Sequence, residues 1–72
     1  MGDVLLLIEI DDEIGEISSV SFELLGIGRK LSRETGKKLL AAIIGYGLKR
    51  YSEEIAKYVD GVYVIENFAK PL

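Results

Sequence analysis

The 72-residue chain contains no cysteine, no histidine and no tryptophan, and its single proline, Pro71, sits one residue from the end. Without cysteine there is no disulfide framework, no thiol nucleophile and no thiolate metal site. The missing histidine excludes Ser-His-Asp chemistry and haem ligation by imidazole. Aromatic residues are only 8%, yet hydrophobic residues reach 49% with a mean hydropathy of +0.24, which excludes a disordered chain. A chain of this length holds one small domain or a part of one. It buries only about 60% of the surface that its unfolded form exposes.

Positive charge is absent from the first 28 residues, which carry Asp3, Glu9, Asp11, Asp12, Glu13, Glu16 and Glu23; every base lies from Arg29 onward. The net charge of −3 speaks against a nucleic-acid domain, which is normally basic. The apolar run Val4 to Ile8 is too short to span a bilayer and has no basic flank. No signal peptide or Arg-rich transit segment is present, so the expectation is a soluble, cytoplasmic chain without membrane insertion.

Asp3 to Ile10 is a continuous apolar run that ends in acids, the pattern of a strand buried on both faces. Asp11 to Ser19 is polar, with Gly15, and reads as a loop or short hairpin. From Val20 the spacing becomes helical: Val20, Leu24, Ile27 and Leu31, with Leu25 beside them, predict the buried stripe of a helix. Ser19 or Ser21 is expected to cap it, with Glu23 in the positive first turn. Arg29, Lys30 and Arg33 approach its negative end, and Gly36 is the expected left-handed stop. Lys38 to Ile44 forms a second apolar run, closed by Gly45-Tyr46-Gly47. A second helix follows on Leu48, Tyr51, Ile55 and Val59, ended by Asp60-Gly61. Val62 to Ile65 reads as a third strand.

The order is therefore β-α-β-α-β, which predicts an α/β fold with a three-stranded parallel sheet, half of a Rossmann-like doubly wound domain. A spatial order of 3-2-1 places both helices on one face and leaves the other bare. An order of 2-1-3 places one helix on each face and covers both poorly. In either case apolar sheet surface remains, and a large patch of that kind marks an interface or missing structure. The expectation is a half domain completed by further sequence or by self-association.

With these segments placed, the chain resembles the N-terminal part of the α subunit of electron transfer flavoprotein along nearly its whole length. Val4-Leu-Leu-Leu-Ile-Glu9 is similar to that family's opening strand V-L-V-I-A-E, and Gly15-Glu16-Ile17 to its G-x-L/I loop. Val20-Ser-Phe-Glu-Leu-Leu-Gly26, followed by Gly28-Arg-Lys-Leu31, is similar to V-S-x-E-L-L-G and A-R-x-L. Ile44-Gly45-Tyr46 resembles the turn after the second strand. Glu53 to Asn67 resembles E-E-L-A-K-Y-G-A-D-K-V-Y-V-V-E-N, with Val59-Asp60-Gly61 one residue shorter. The resemblance implies a scaffold and subunit-interface role in a protein that passes electrons from dehydrogenases through FAD. It also implies that this chain alone does not bind FAD, because that family holds the flavin mainly in a C-terminal domain. The implied partners are the β-type subunit, or a second copy through the apolar sheet face, and dehydrogenases.

Other candidate sites compete with bland readings. Glu9, Asp11, Asp12, Glu13 and Glu16 are hard oxygen donors, but without calcium-loop spacing they read as a solvated turn, and no metal is expected. Gly45, Tyr46 and Gly47 follow a strand and open a helix, where backbone N–H groups can meet a phosphate, with Lys49 and Arg50 just beyond. This motif carries the alternative of a small adenine-nucleotide-binding α/β protein. A free-standing oligomeric interaction module is the third reading. Gly26 and Gly28 read as small residues that let the helix approach the sheet. Tyr51, Tyr58 and Tyr63 read as packing residues with wet hydroxyls, and Tyr46 stays a candidate for ligand contact. No catalytic constellation is present, so the chain is not expected to be an enzyme.

Overall fold

The computed structural model describes residues 2–66; Asn67 and Pro71 lie outside the described residues. Strand β1 (Val4–Ile8) is followed by a two-residue pair, β2 (Ile10–Asp11) and β3 (Glu16–Ile17), that forms an antiparallel hairpin. Helix α1 (Ser19–Thr35), strand β4 (Leu39–Gly45), helix α2 (Lys49–Ile55) and strand β5 (Gly61–Glu66) complete the chain. The main sheet has the order β1-β4-β5, all parallel, so the mixed α/β reading with three parallel strands holds. Of the two spatial orders, this is the one that places both helices on one face.

The register fixes which residues share a face. Leu5 and Leu7 of β1 lie level with Leu40 and Ala42 of β4, and Ala42 and Ile44 lie level with Tyr63 and Ile65 of β5. The alternate residues Leu6, Ile8, Ala41, Ile43 and Val62 face the helices and join one core with Leu25, Leu48 and Ile55. Leu39, Ala41, Ile43 and Ile55 have no exposed surface at all. The opposite face is uncovered: Leu5 is 60% exposed, Leu7 65%, Ile44 54%, Tyr63 58% and Ile65 52%.

Helix α1 corrects the expected core. Its buried residues are Ser21, Leu25, Gly28 and Ser32, whereas Val20, Leu24, Ile27 and Leu31 are exposed. The buried line is one residue out of phase with the apolar stripe, a rotation of about 100°. Gly28 is the reason. A Cβ there would stand 2.9 Å from Leu6 Cδ1 and 3.0 Å from Leu39 Cδ1, so the missing side chain lets α1 settle onto the sheet along this line. Gly26 has nothing within 4 Å and does not share this role.

The caps differ in detail from expectation. Ser18, not Ser19 or Ser21, is the N-cap, its side chain accepting from the Ser21 N–H. Its hydroxyl is the one spaced to reach the N3 amide, and Glu23 then falls beyond the first turn. Gly36 ends α1 in the left-handed region, as expected, its N–H donating to Ser32 O. Helix α2 stops at Ile55 rather than at Val59, because the bonds Lys57 N–H to Glu54 O and Tyr58 N–H to Ile55 O tighten the chain into a turn. Val59 still packs on the core.

Candidate functional site

At the C-terminal ends of the strands lies a cleft of about 850 Å³, lined by Leu7, Ile8, Glu9, Ile10 and Asp12 from the first strand and its hairpin. Val20, Ser21 and Leu24 of α1 and Ile44, Gly45, Tyr46, Leu48 and Tyr51 close the other sides. Open α/β sheets bind ligands in such a crevice. Leu7 and Ile44 belong also to the bare sheet face, and Val20 and Leu24 to the exposed stripe of α1. The cleft is thus where two unpartnered apolar surfaces meet.

Ser21 belongs to its lining, and Ser18 is buried beside it. Beyond Ile8 the chain leaves the sheet, and the Glu9 N–H donates to Ser21 Oγ over 2.8 Å. The Ser18 hydroxyl donates to Ser21 Oγ, and the Ser18 N–H donates to the Glu9 carbonyl. These bonds tie the end of β1 to the start of α1. The hairpin is held from the other side by α2. Tyr51 Oη and Arg50 Nη2 both donate to the Gly15 carbonyl at 2.6 Å, and the Arg50 guanidinium lies 4.7 Å from the Tyr51 ring centroid. Proximity to the Tyr51 hydroxyl raises the already high pKa of Arg50.

Gly45 and Tyr46 line the cleft, but the turn they form does not wait for a phosphate. The Leu48 N–H, the N-cap amide of α2, donates to Glu66 Oε1 at 2.9 Å. The chain's own carboxylate therefore occupies this amide. The lining contains Glu9 and Asp12 and neither lysine nor arginine. These residues do not fit the diphosphate of a flavin or pyridine dinucleotide, which needs donors and positive charge. Gly47 is favoured by conformation: its φ is +65°, and a Cβ there would meet no protein atom within 4 Å.

The other sequence-selected residues separate. Among the described residues, no three acids converge on a point that could hold a metal ion. Asp11 instead caps its own turn, accepting from the Glu13 N–H. Tyr51 is half-buried and packs against the core as expected, but its hydroxyl is bonded to the Gly15 carbonyl rather than wet. Tyr58 and Tyr63 are exposed, Tyr58 lying edge-on to Phe22 and Tyr63 on the bare sheet face, so neither packs inward. Tyr58 lies beyond the end of α2, so helical spacing does not carry it onto the core.

A polar clamp missed by sequence reasoning closes the opposite end of the sheet. Asp60 Oδ2 accepts from the Leu39 N–H at 2.8 Å and from Arg29 Nη1 at 3.3 Å, while Arg29 Nη2 donates to the Tyr58 carbonyl. The Leu39 N–H, then the Arg29 guanidinium, hold the Asp60 carboxyl below the ordinary carboxylate range. Nothing in the sequence pairs residues 29 and 60 except their opposite charge.

Among the described residues, no helix is long and apolar enough to cross a membrane. Compared with protein-family models and with curated proteins, the chain finds no match in either.

Proposed function

We propose that the chain is a non-catalytic assembly module, the scaffold and subunit-interface part of an electron transfer flavoprotein α-type subunit. Its working feature is the apolar sheet face formed by Leu5, Leu7, Ile44, Tyr63 and Ile65, which is the observation that carries this reading. Monomeric soluble proteins seldom leave such a face open to water, and docking is the ordinary reason for one. The family assignment rests on the resemblance of Val20 to Gly26 and of the tract from Glu53. In this role the chain supports an FAD-bearing domain that carries electrons from dehydrogenases, and it holds no flavin itself. A largely apolar cleft whose charged lining residues are both acids, and the occupied Leu48 N–H, support that division and weigh against the adenine-nucleotide alternative.

The visible spectrum of the purified chain, taken after FAD addition and gel filtration, tests the proposal. A colourless chain is the expected result. Stoichiometric retention of FAD overturns the scaffold role.

A further inference from the structure

A second groove, of about 570 Å³, lies between α1 and the turn after α2 and shares no residue with the strand-end cleft or the bare sheet face. Phe22 and Tyr58 form one part of its wall, edge-on with ring centroids 6.2 Å apart, and both are exposed. The bases Arg29, Lys30, Arg33 and Lys57 form the rest, and no acid lines it. Arg29 is engaged within the fold, bonded to Asp60 and to the Tyr58 carbonyl. Among the described residues that is the only ion pair, so Lys30, Arg33 and Lys57 have no carboxylate partner. The acids on the same two helices, Glu23, Glu34, Glu53 and Glu54, stand outside the lining. Gly26 also lines the groove, about one turn past Phe22 and one turn before Lys30. Glycine is a poor helix former, and packing does not call for it here, since a Cβ would meet nothing within 4 Å. What it leaves is open space between the aromatic pair and the bases.

We propose that this groove is a ligand site for a small organic phosphate, with a flat ring over Gly26 against Phe22 and Tyr58 and a phosphate held by Lys30, Arg33 and Lys57. The ring follows from two exposed aromatics beside the space above the glycine. The anion follows from three bases with no acid among them. A phosphate monoester carries close to two negative charges near neutral pH, which matches these cations better than the single charge of a carboxylate. Arginine also holds phosphate through paired N–H donors. A long polyanion is a poor match, because the first 28 residues carry seven acids and no base. With one aromatic pair and one group of cations, the groove suits one ring and one phosphate rather than the two ring systems of a dinucleotide. Its volume lies within the range of small-molecule sites, roughly 300–1,000 Å³. The site goes beyond the scaffold role and does not depend on it.

Phenyl phosphate is the probe, titrated at low salt into the isotopically labelled chain and followed by amide NMR. Saturable shifts from Phe22 to Arg33 and at Lys57 and Tyr58, half-saturating below about 1 mM, are expected. Inorganic phosphate, which lacks the ring, and phenylmethanol, which lacks the charge, should each bind at least about fivefold more weakly. Gly26→Leu fills the open space and should abolish the titration without lowering the unfolding midpoint. Arg33→Gln, at an exposed position, should weaken phenyl phosphate about fivefold and keeps the test open if the leucine variant folds poorly. Absence of saturation, equal affinity for inorganic and phenyl phosphate, or shifts centred on the bare sheet face or the strand-end cleft overturns the site. So does unchanged affinity in a folded Gly26→Leu chain or in Arg33→Gln. The visible spectrum after FAD addition reads the scaffold role separately, so either can fail alone.

Discussion

Ser21→Ala is the substitution that most directly tests how the cleft is built. Ser21 is 1% exposed, and its Oγ accepts from the Glu9 N–H at 2.8 Å and from the Ser18 hydroxyl at 3.1 Å. Alanine leaves the Glu9 N–H without its acceptor in a partly buried position, at a cost of about 1–3 kcal/mol. The helix cap survives, because Ser18 Oγ still accepts from the backbone N–H at position 21. Alanine also favours the helix by about 0.5 kcal/mol over serine. The net expectation is a loss of about 1–2 kcal/mol, or a Tm lower by roughly 5–15 °C for a domain of this size. Urea and thermal unfolding at one fixed chain concentration measure it, since association itself stabilises. Hydrogen exchange at the Glu9 amide should accelerate in the same variant. A Tm within about 1 °C of the parent, with Glu9 protection intact, would refute the role of Ser21.

Four further outcomes are expected. Asp60→Asn should flatten the acid limb of stability. Because the folded carboxyl titrates below its unfolded value, its contribution is present above about pH 4 and is lost as pH falls through the folded pKa; urea midpoints from neutral to acid pH check this. At Gly47, where φ is +65°, valine should cost about 1–2 kcal/mol and asparagine distinctly less, although both have space, which equilibrium unfolding reads directly. Tyr51→Phe should cost at most about 1 kcal/mol, because Arg50 still donates to the Gly15 carbonyl; faster exchange at the hairpin amides would accompany it. Gly28→Leu should destabilise by more than about 2 kcal/mol, since its Cβ already meets Leu6 and Leu39, whereas Gly26→Leu should be tolerated in the same unfolding assay.

The element order was legible because runs such as Val4 to Ile8 and Leu39 to Ile44 have the length and apolar content of strands, although β1 is buried on one face only, with Leu5 and Leu7 exposed, and not on both as its pattern predicts. Gly36 marked the end of α1 through a conformation that its sequence neighbours cannot adopt easily. The phase of α1 was not legible. Val20, Leu24, Ile27 and Leu31 have the spacing of a buried stripe, and periodicity alone cannot distinguish a stripe that covers this sheet from one left outward. Close approach at Gly28 decided it, and that depends on Leu6 and Leu39, residues distant in sequence. The glycine turn likewise offered a phosphate site as an alternative because its local pattern omits Glu66, whose carboxylate accepts from the Leu48 N–H. The Arg29–Asp60 clamp was hidden for the same reason.

Residue-resolved hydroxyl-radical footprinting across a concentration series tests most directly whether the bare sheet face is an interface. Leu5, Leu7, Tyr63 and Ile65 lie on the face, while Ile14 and Tyr58, comparably exposed, lie off it. Protection of the first group as concentration rises, with Ile14 and Tyr58 unchanged, is the predicted result. Uniform labelling of both groups at every concentration would contradict it.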